Sequence, residues 1–476
     1  VSPIGVDEWV ARSGERRELL GGPLRPLAEA FRRVNWWQRL IVLALLGFAF
    51  GHIGANGFQQ IVALNALIYA ILAVGLNIVV GWAGLLDLGY IAFFGIGAYG
   101  YALFSSHALG NLLAQTGGVE LPTIATVPIV LVAAAVIGVA IGLVSLRLGG
   151  DYLAIVTLFF GLAFFEFVNN VDQANLGGND GIIALEPWHG FGGVIRSTLG
   201  YYYVALIILL ALMAAFHLLN DSRTGRAWRA IRDDPLAAQV MTIPVNTVKV
   251  LAFAFGAMVA ALAGTVFAAQ QANVFPTNFQ TPVLILIYAC LVLGGVGSIG
   301  GAVLGGLVVT IVQQMLASPT DEGYLFYGLI LVTLLVKVRP WQYLVATLGA
   351  IVAFGFALRA IVGAISHAAI AGSTGSVGWI GSAMRHYVIV PSTHGMTYGN
   401  ILFVVLVCAL VGIVRLKGVW RLVASVPAVY FAACCWEARL SLDPAITAQI
   451  MIGAILIVTM AARPQGLLGT RRVEIV

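Results

Sequence analysis

The residues able to do chemistry in this chain are few, and their spacing argues against most of it. Three carboxylates stand near apolar stretches: Asp87 and Asp151 at the edges of two runs, and Glu166 near the end of a third. None occupies the middle of a run, where ion-coupled carriers place such groups. Asn65 and Asn77 do fall inside one. They read either as polar points on a substrate pathway or as side chains that hydrogen-bond one helix to the next. The seven histidines are dispersed, without an HExxH pair, and no Ser-His-Asp grouping can be inferred. Cys290, Cys408, Cys434 and Cys435 all lie in apolar stretches without a CxxC spacing, which favours small packing residues over a disulfide framework or a metal site. A phosphate-binding loop needs Gly-Lys ahead of Ser or Thr. Lys249, Lys337 and Lys417 instead follow Val248, Val336 and Leu416. The chain therefore has no ATPase site of that kind, and it is expected to bind no cofactor and to catalyse no reaction.

The elements that must position these residues follow from composition. Of 476 residues only 9% are charged and 60% are hydrophobic. A soluble domain carries about 25% charged residues. A net charge of +5, scattered along the chain, supports neither a soluble shell nor nucleic-acid binding. The 56 glycines and 10 tryptophans suit close-packed membrane helices with interfacial anchors. The expected fold is an all-α polytopic integral membrane protein with about 12–14 transmembrane helices, some short or broken. Long apolar runs lie near 40–57, 60–80, 121–146, 199–219, 247–271, 341–363, 400–415, 419–436 and 446–462. Shorter or glycine-broken ones lie at 88–106, 152–168, 282–297, 300–317 and 324–338.

Charge placement tests that count. With the N-terminus inside and every run crossing once, Arg196, Arg359, Arg385 and Arg439 fall outside, and the other 21 of the 25 basic residues fall inside. This is a strong positive-inside bias. Fusing 282–317 into one span would expel the later basic groups, so two crossings are expected there. Both termini then face the cytoplasm. The first 38 residues, rich in arginine, read as a cytoplasmic segment and not as a cleaved leader. Leu24, Leu27, Phe31 and Val34 predict an amphipathic surface helix, with a disordered basic tail as the other reading. Glycines at Gly95, Gly97 and Gly100, and at Gly301, Gly305 and Gly306, predict close helix packing more readily than a pathway lining.

The inner segment 220–246 is the most informative. Arg226, Arg229 and Arg232 recur at helical spacing, and Arg229 with Asp233 forms an i, i+4 pair. Asp234 ahead of Pro235 is a helix-start signal. Two short helices are predicted along the membrane surface, with Ala227, Ala230, Ala237 and Ala238 small enough for another protein to approach. An ordinary basic loop that holds topology is the alternative.

This segment resembles the coupling loop of ABC importer permeases, specifically the branched-chain amino acid permease family of LivM type. Other stretches are similar to the same family in order. They run from Leu76-Asn77-Ile78-Val79-Val80-Gly81 through Gly84-Leu85-Leu86-Asp87-Leu88-Gly89-Tyr90 to Gly95-Ile96-Gly97-Ala98-Tyr99. Next come Asp151–Leu158, Gly177-Gly178-Asn179-Asp180-Gly181-Ile182, Gly294–Gly301 and the closing Arg463-Pro464-Gln465-Gly466-Leu467-Leu468-Gly469. The resemblance implies that Arg223, Gly225, Arg226, Ala227, Arg229, Ala230, Arg232, Asp233, Asp234, Ala237 and Ala238 meet ATPase subunits. Asn77, Asp87, Gly89, Phe93, Gly294, Gly295 and Ser298 become candidates for the substrate pathway. Gly177, Gly178, Asn179 and Asp180 become candidates for docking a substrate-binding protein.

Two departures stand out. Thr242 occupies a position where the family usually has glycine, leaving the local turn open. About 120 residues also intervene between Lys337-Val338-Arg339-Pro340 and the similar closing pattern. The resulting division is a segment 1–38, a permease core 39–338, an inserted transmembrane region 339–445, and a final span with its tail at 446–476. The resemblance implies import of branched-chain or other apolar amino acids across a bacterial cytoplasmic (inner) membrane. Its expected partners are two ATPase subunits that use ATP, a second homologous permease, a periplasmic or lipid-anchored binding protein, and membrane lipid, with no nucleic acid. A urea or short-chain amide permease of the same family and an ion-coupled amino acid carrier remain alternatives. Sodium held by backbone carbonyls at broken helices near 81–100 or 294–301 would need no carboxylate.

Overall fold

A computed structural model describes residues 35–52, 57–106, 121–145, 150–171, 177–183, 185–190, 193–317, 321–337, 341–367, 370–372, 378–392, 395–415, 419–440, 444–462 and 466–468. The amphipathic helix expected before Asn35 lies outside them. Each apolar run coincides with a helix, because in lipid a chain without a closed barrel satisfies its backbone only within itself. In order these are α1 (Trp36–His52), α2 (Gly57–Leu76), α3 (Tyr90–Phe104), α4 (Thr123–Ser145), α5 (Gly150–Asn170) and α6 (Thr198–Asp221). Two short helices follow, α7 (Arg223–Asp233) and α8 (Pro235–Val240). Then come α9 (Val245–Gln271), α10 (Thr281–Gly294), α11 (Ile299–Ala317), α12 (Asp321–Lys337) and α13 (Trp341–Ile365). The chain continues through α14 (Gly378–Arg385), α15 (Gly395–Arg415), α16 (Val419–Ala438) and α17 (Pro444–Ala462). Among the described residues seven helices are long and apolar enough to cross a membrane, and shorter apolar helices accompany them. The protein is an all-α, multi-pass membrane protein. The 282–317 stretch folds as two helices, and the short helix α14 lies between α13 and α15.

The main core gathers around α2, α3, α9, α10 and α11. Association of apolar helices in lipid relies on close backbone approach, and glycines supply it. A Cβ on Gly97 of α3 would strike the Ala261 backbone of α9, and one on Gly306 of α11 would sit 2.5 Å from Ala70 Cα of α2. Gly95, Gly100, Gly301 and Gly305 are likewise filled by neighbouring helices, so all six glycines singled out by sequence serve packing. The final helix α17 returns to this core: Ile452 is buried in it, and Ile455 and Leu456 pack against it. Between Trp341 and Leu440 the chain builds a separate apolar cluster around Val388, Ile389, Leu402, Tyr430 and Cys434.

Short strands decorate one end. Ile182–Ile183 pairs antiparallel with Asn273–Val274, and His189–Gly190 with Gly193–Val194. The first pair ties the segment after α5 to the end of α9.

Candidate functional site

Two helices of the core are broken at one level, and the breaks are bonded to each other. The helix α2 continues as a π-helical turn, Asn77–Trp82, and the chain then runs irregularly to α3, turning at Gly84 with φ +70°. Such turns inside helices commonly mark functional positions. The second break separates α10 from α11 at Gly295 (φ +117°) and Gly297 (φ +92°). Asn77 Oδ1 accepts a hydrogen bond from the Gly297 amide at 2.8 Å, and Trp82 Nε1 donates to the Gly297 carbonyl at 3.3 Å. Asn77 is only 1% exposed. Of its two sequence readings, the link between helices is the one its geometry fills.

Asp87 lies inside the first break and is 1% exposed. Its Oδ1 accepts from the Gly89 amide at 3.0 Å, and its backbone carbonyl accepts from the Tyr288 hydroxyl of α10 at 2.6 Å. Oδ2 is buried without a hydrogen-bond partner. The edge-of-span position expected from sequence is thus a buried one, because the break folds back under α10. The other pathway candidates have structural duties here. Gly89 lies against the Thr157 carbonyl of α5, and Phe93 is fully buried against Phe160. Gly294 meets Gly301, and Ser298 Oγ caps α11 by accepting from the Gly301 amide at 3.1 Å.

The surface helix α7 sits directly on the first of these breaks, and α8 follows it. Ser222 begins α7, its Oγ accepting from Gly225 N at 3.2 Å, and the bare Gly225 Cα packs against the carbonyl end of α6. Trp228 is fully buried, donates Nε1 to the Val248 carbonyl at 2.7 Å, and lies 6.1 Å from the Trp82 ring. Arg232 donates to the Gly81 carbonyl in the π turn. Arg226 donates to the Asp221 carbonyl at 2.5 Å, and Arg229 to Asn220 Oδ1 and the Asn220 carbonyl at 3.1 and 2.9 Å. These are the last carbonyls of α6, where the helix dipole favours a cation. Here the structure corrects the expected Arg229–Asp233 pair: the guanidinium turns back to α6, which offers carbonyls and an amide oxygen together.

The start of α8 is as expected. Asp234 Oδ1 accepts from Leu236 N and Ala237 N at 2.8 and 3.1 Å, with Pro235 in the first turn. The helix ends in a left-handed residue, Thr242 at φ +64°, with Thr242 N donating to the Gln239 carbonyl and Ile243 N to that of Ala238, both at 3.1 Å. This closing motif normally uses glycine. Arg223, Asp233, Asp234 and Ala237 are exposed, whereas Ala227 and Ala230 are half-buried. Ala238 is 3% exposed, which takes it out of the approachable surface proposed for it. In its place α8 presents Leu236, Val240 and Met241, exposed by 74, 82 and 75%. The alanine pattern does not reveal this patch, because the phase of so short a helix is set by its caps.

Beyond α17 the chain end docks on the second break. Leu467 N and Leu468 N donate to the Leu293 and Gly294 carbonyls, each at 2.9 Å, and Gly466 adopts φ +76° beside Gly295. These bonds satisfy the terminal carbonyls of α10.

At the end of the bundle where Ile182–Ile183 pairs with Asn273–Val274, Gly177, Gly178 and Gly181 all have positive φ, and Asn179 and Asp180 are exposed on the resulting turn. A groove of about 260 Å³ lies nearby between α5 and the start of α10, lined by Leu88, Leu162, Phe165, Phe279, Glu166 and Gln280. Among the described residues, no group of three His, Cys, Asp or Glu side chains converges to hold a metal.

Sequence reasoning does not single out Trp82, Trp228, Tyr288 or Gly297, the groups that join the breaks to α7 and α10. One usable signal is Trp228, a large aromatic in an otherwise arginine-rich helix.

A family model for the branched-chain amino acid transport system permease component matches residues 60–336. The high-affinity branched-chain amino acid transport system permease protein LivM of Escherichia coli is 32% identical over 321 residues, 62% of this chain and 72% of that protein. LivM of Salmonella typhimurium is 31% identical, covering 63% of this chain and 73% of its own. The Escherichia coli permease protein LivH is 27% identical over 56% of this chain and 89% of LivH. No solved structure matches. With breaks, surface helices and chain end all lying in or beside the matched region, the chain belongs to the family of branched-chain amino acid transport permeases.

Proposed function

We propose that this chain is the membrane subunit of an ATP-driven importer of branched-chain amino acids in a bacterial inner membrane, with both termini cytoplasmic. Two separate ATPase subunits press on α7 and α8, and a second homologous permease completes the membrane part. A binding protein delivers substrate to the turn carrying Asn179 and Asp180. ATP is consumed by the partners. Closure of the ATPases moves α7, whose Arg232 and Trp228 lead to the π turn. Asn77 and Trp82 carry that displacement to Gly297 and so to the joint between α10 and α11.

The observation that carries this reading is the bond from Arg232 to the Gly81 carbonyl, which joins a surface helix to a broken core helix. The apolar triad of Leu236, Val240 and Met241 adds a surface suited to a protein partner. The test reconstitutes the chain with its second permease, ATPases and binding protein in proteoliposomes and measures ATP-dependent leucine uptake, with urea and short-chain amides as competitors. Leu236→Glu and Val240→Glu are expected to abolish ATPase association while changing the chain's own stability by less than about 0.5 kcal/mol. Amino acid uptake by the chain alone on an ion gradient would overturn the proposal.

A further inference from the structure

The closing motif of the sequence has no part in the proposed transmission from α7, yet its described residues grip one side of the joint between α10 and α11. Leu467 N and Leu468 N donate to the Leu293 and Gly294 carbonyls, each at 2.9 Å, and Gly466 turns there at φ +76°. Leu293 and Gly294 are buried at the end of α10, where a helix supplies no partners for its own carbonyls. A Cβ on Gly466 would fall 2.6 Å from Gly295 Cα and 2.7 Å from Gly295 N, so this segment lies flat on the joint. It follows α17, which packs against α10 and α11 alike.

Different residues hold the other side of the joint. Asn77 Oδ1 accepts from the Gly297 amide, and Trp82 Nε1 donates to the Gly297 carbonyl. The two grips thus fall on either side of Val296, one on Leu293–Gly295 and the other on Gly297. Between them the backbone passes through positive φ at Gly295 and Gly297, a region that glycine enters at little steric cost. Beside the joint, Gly294 meets the Gly301 backbone and Gly305 meets that of Cys290. Such backbone contacts lack the interlocking side-chain ridges that fix a crossing angle, so one helix can turn against the other about them. With the end of α10 free, a pull on Gly297 would carry both helices along together. With that end fixed, the same pull turns α11 about the joint.

We propose that Gly466–Leu468 is an anchoring strap: it fixes the end of α10, so that movement of the π turn, acting through Gly297, swings α11 about Gly295–Gly297. Gly466, Leu467 and Leu468 are positioning residues that act through the backbone of α10 and do not touch substrate. The swing rests on the proposed transport function; the independence of the two grips does not. The Leu467 and Leu468 side chains are 40 and 49% exposed, so the strap holds by its two amides and by the bare Cα of Gly466.

Hydrogen exchange on the whole chain in lipid nanodiscs reads each grip separately. Gly466→Ala puts an L-residue at positive φ and a Cβ on Gly295, so the Leu467 and Leu468 amides should exchange at least about fivefold faster. The Gly297 amide, held by Asn77, should stay within about twofold of its native rate. Leu468→Pro, which removes one strap amide at an exposed position, is the second variant and should speed exchange at Leu467 while sparing Gly297. In the transporter reconstituted with its partners, both variants should raise the ATP hydrolysed per leucine transported. A mere loss of folded protein would lower hydrolysis and uptake together and leave that ratio unchanged. Exchange at Gly297 rising in step with that at Leu467 would overturn the proposal, since the joint would then be one rigid unit. So would an unchanged ratio in a variant whose strap amides have been freed. Absence of ATP-driven uptake by the native assembly would count against the transport function, and the exchange comparison on the chain alone would still decide the strap.

Discussion

Replacing Thr242 by glycine should stabilise the turn that closes α8. Thr242 sits at φ +64°, and its amide and that of Ile243 cap the helix through the Gln239 and Ala238 carbonyls. The left-handed region costs an L-residue about 1–2 kcal/mol, and a β-branched side chain belongs to the worst cases. Glycine removes that cost and adds unfolded-chain freedom worth about 0.4–1 kcal/mol. Because Thr242 is exposed, its side chain gives up no buried contact. The net gain is about 0.5–1 kcal/mol, which is about two- to fivefold in the population of the closed turn. Hydrogen exchange of the Thr242 and Ile243 amides in nanodiscs reads this population directly. Both should slow by that factor in Thr242→Gly and by less in Thr242→Asn, while Thr242→Val should not slow. Equal exchange in Gly, Asn and Val variants would show that backbone strain does not limit the turn, and would refute the reasoning.

Other perturbations probe the joints around the breaks. Trp228→Ala should cost about 3–5 kcal/mol in thermal or denaturant unfolding, because it empties a fully buried site, whereas Trp228→Phe should cost about 1 kcal/mol through the lost bond to Val248. In Gly305→Ala the new Cβ lies against the Cys290 carbonyl and 2.8 Å from Gly294 N, so a loss of about 1–3 kcal/mol is expected. Gly328→Ala meets nothing within 4 Å and should gain about 0.5–1 kcal/mol in the same unfolding assay. In the reconstituted transporter Arg232→Ala should raise ATP hydrolysed per leucine transported. Unchanged stoichiometry would remove Arg232 from the transmission route.

Much of the helix inventory is legible in the sequence because each membrane helix satisfies its backbone locally. Apolar runs, the Asp234-Pro235 start and the packing glycines are all short-range signals. Thr242 is an instructive intermediate: the sequence marks it as a departure from the family pattern, and the left-handed turn explains why glycine suits that position. The partners of Arg229 were not legible. An i, i+4 spacing offers Asp233, but a long guanidinium takes the carbonyls that the fold brings nearest.

Length, charge scarcity, the bias of basic residues and the ordered motifs by themselves determine a multi-pass membrane chain of the permease type. Only the tertiary structure joins Asn77 to Gly297, Arg232 to Gly81, and the chain end to Leu293. Those contacts connect residues far apart along the chain, many with no local pattern to mark them. Each is decided by where packed helices leave a polar group with just one neighbour in reach, and that depends on every helix around it.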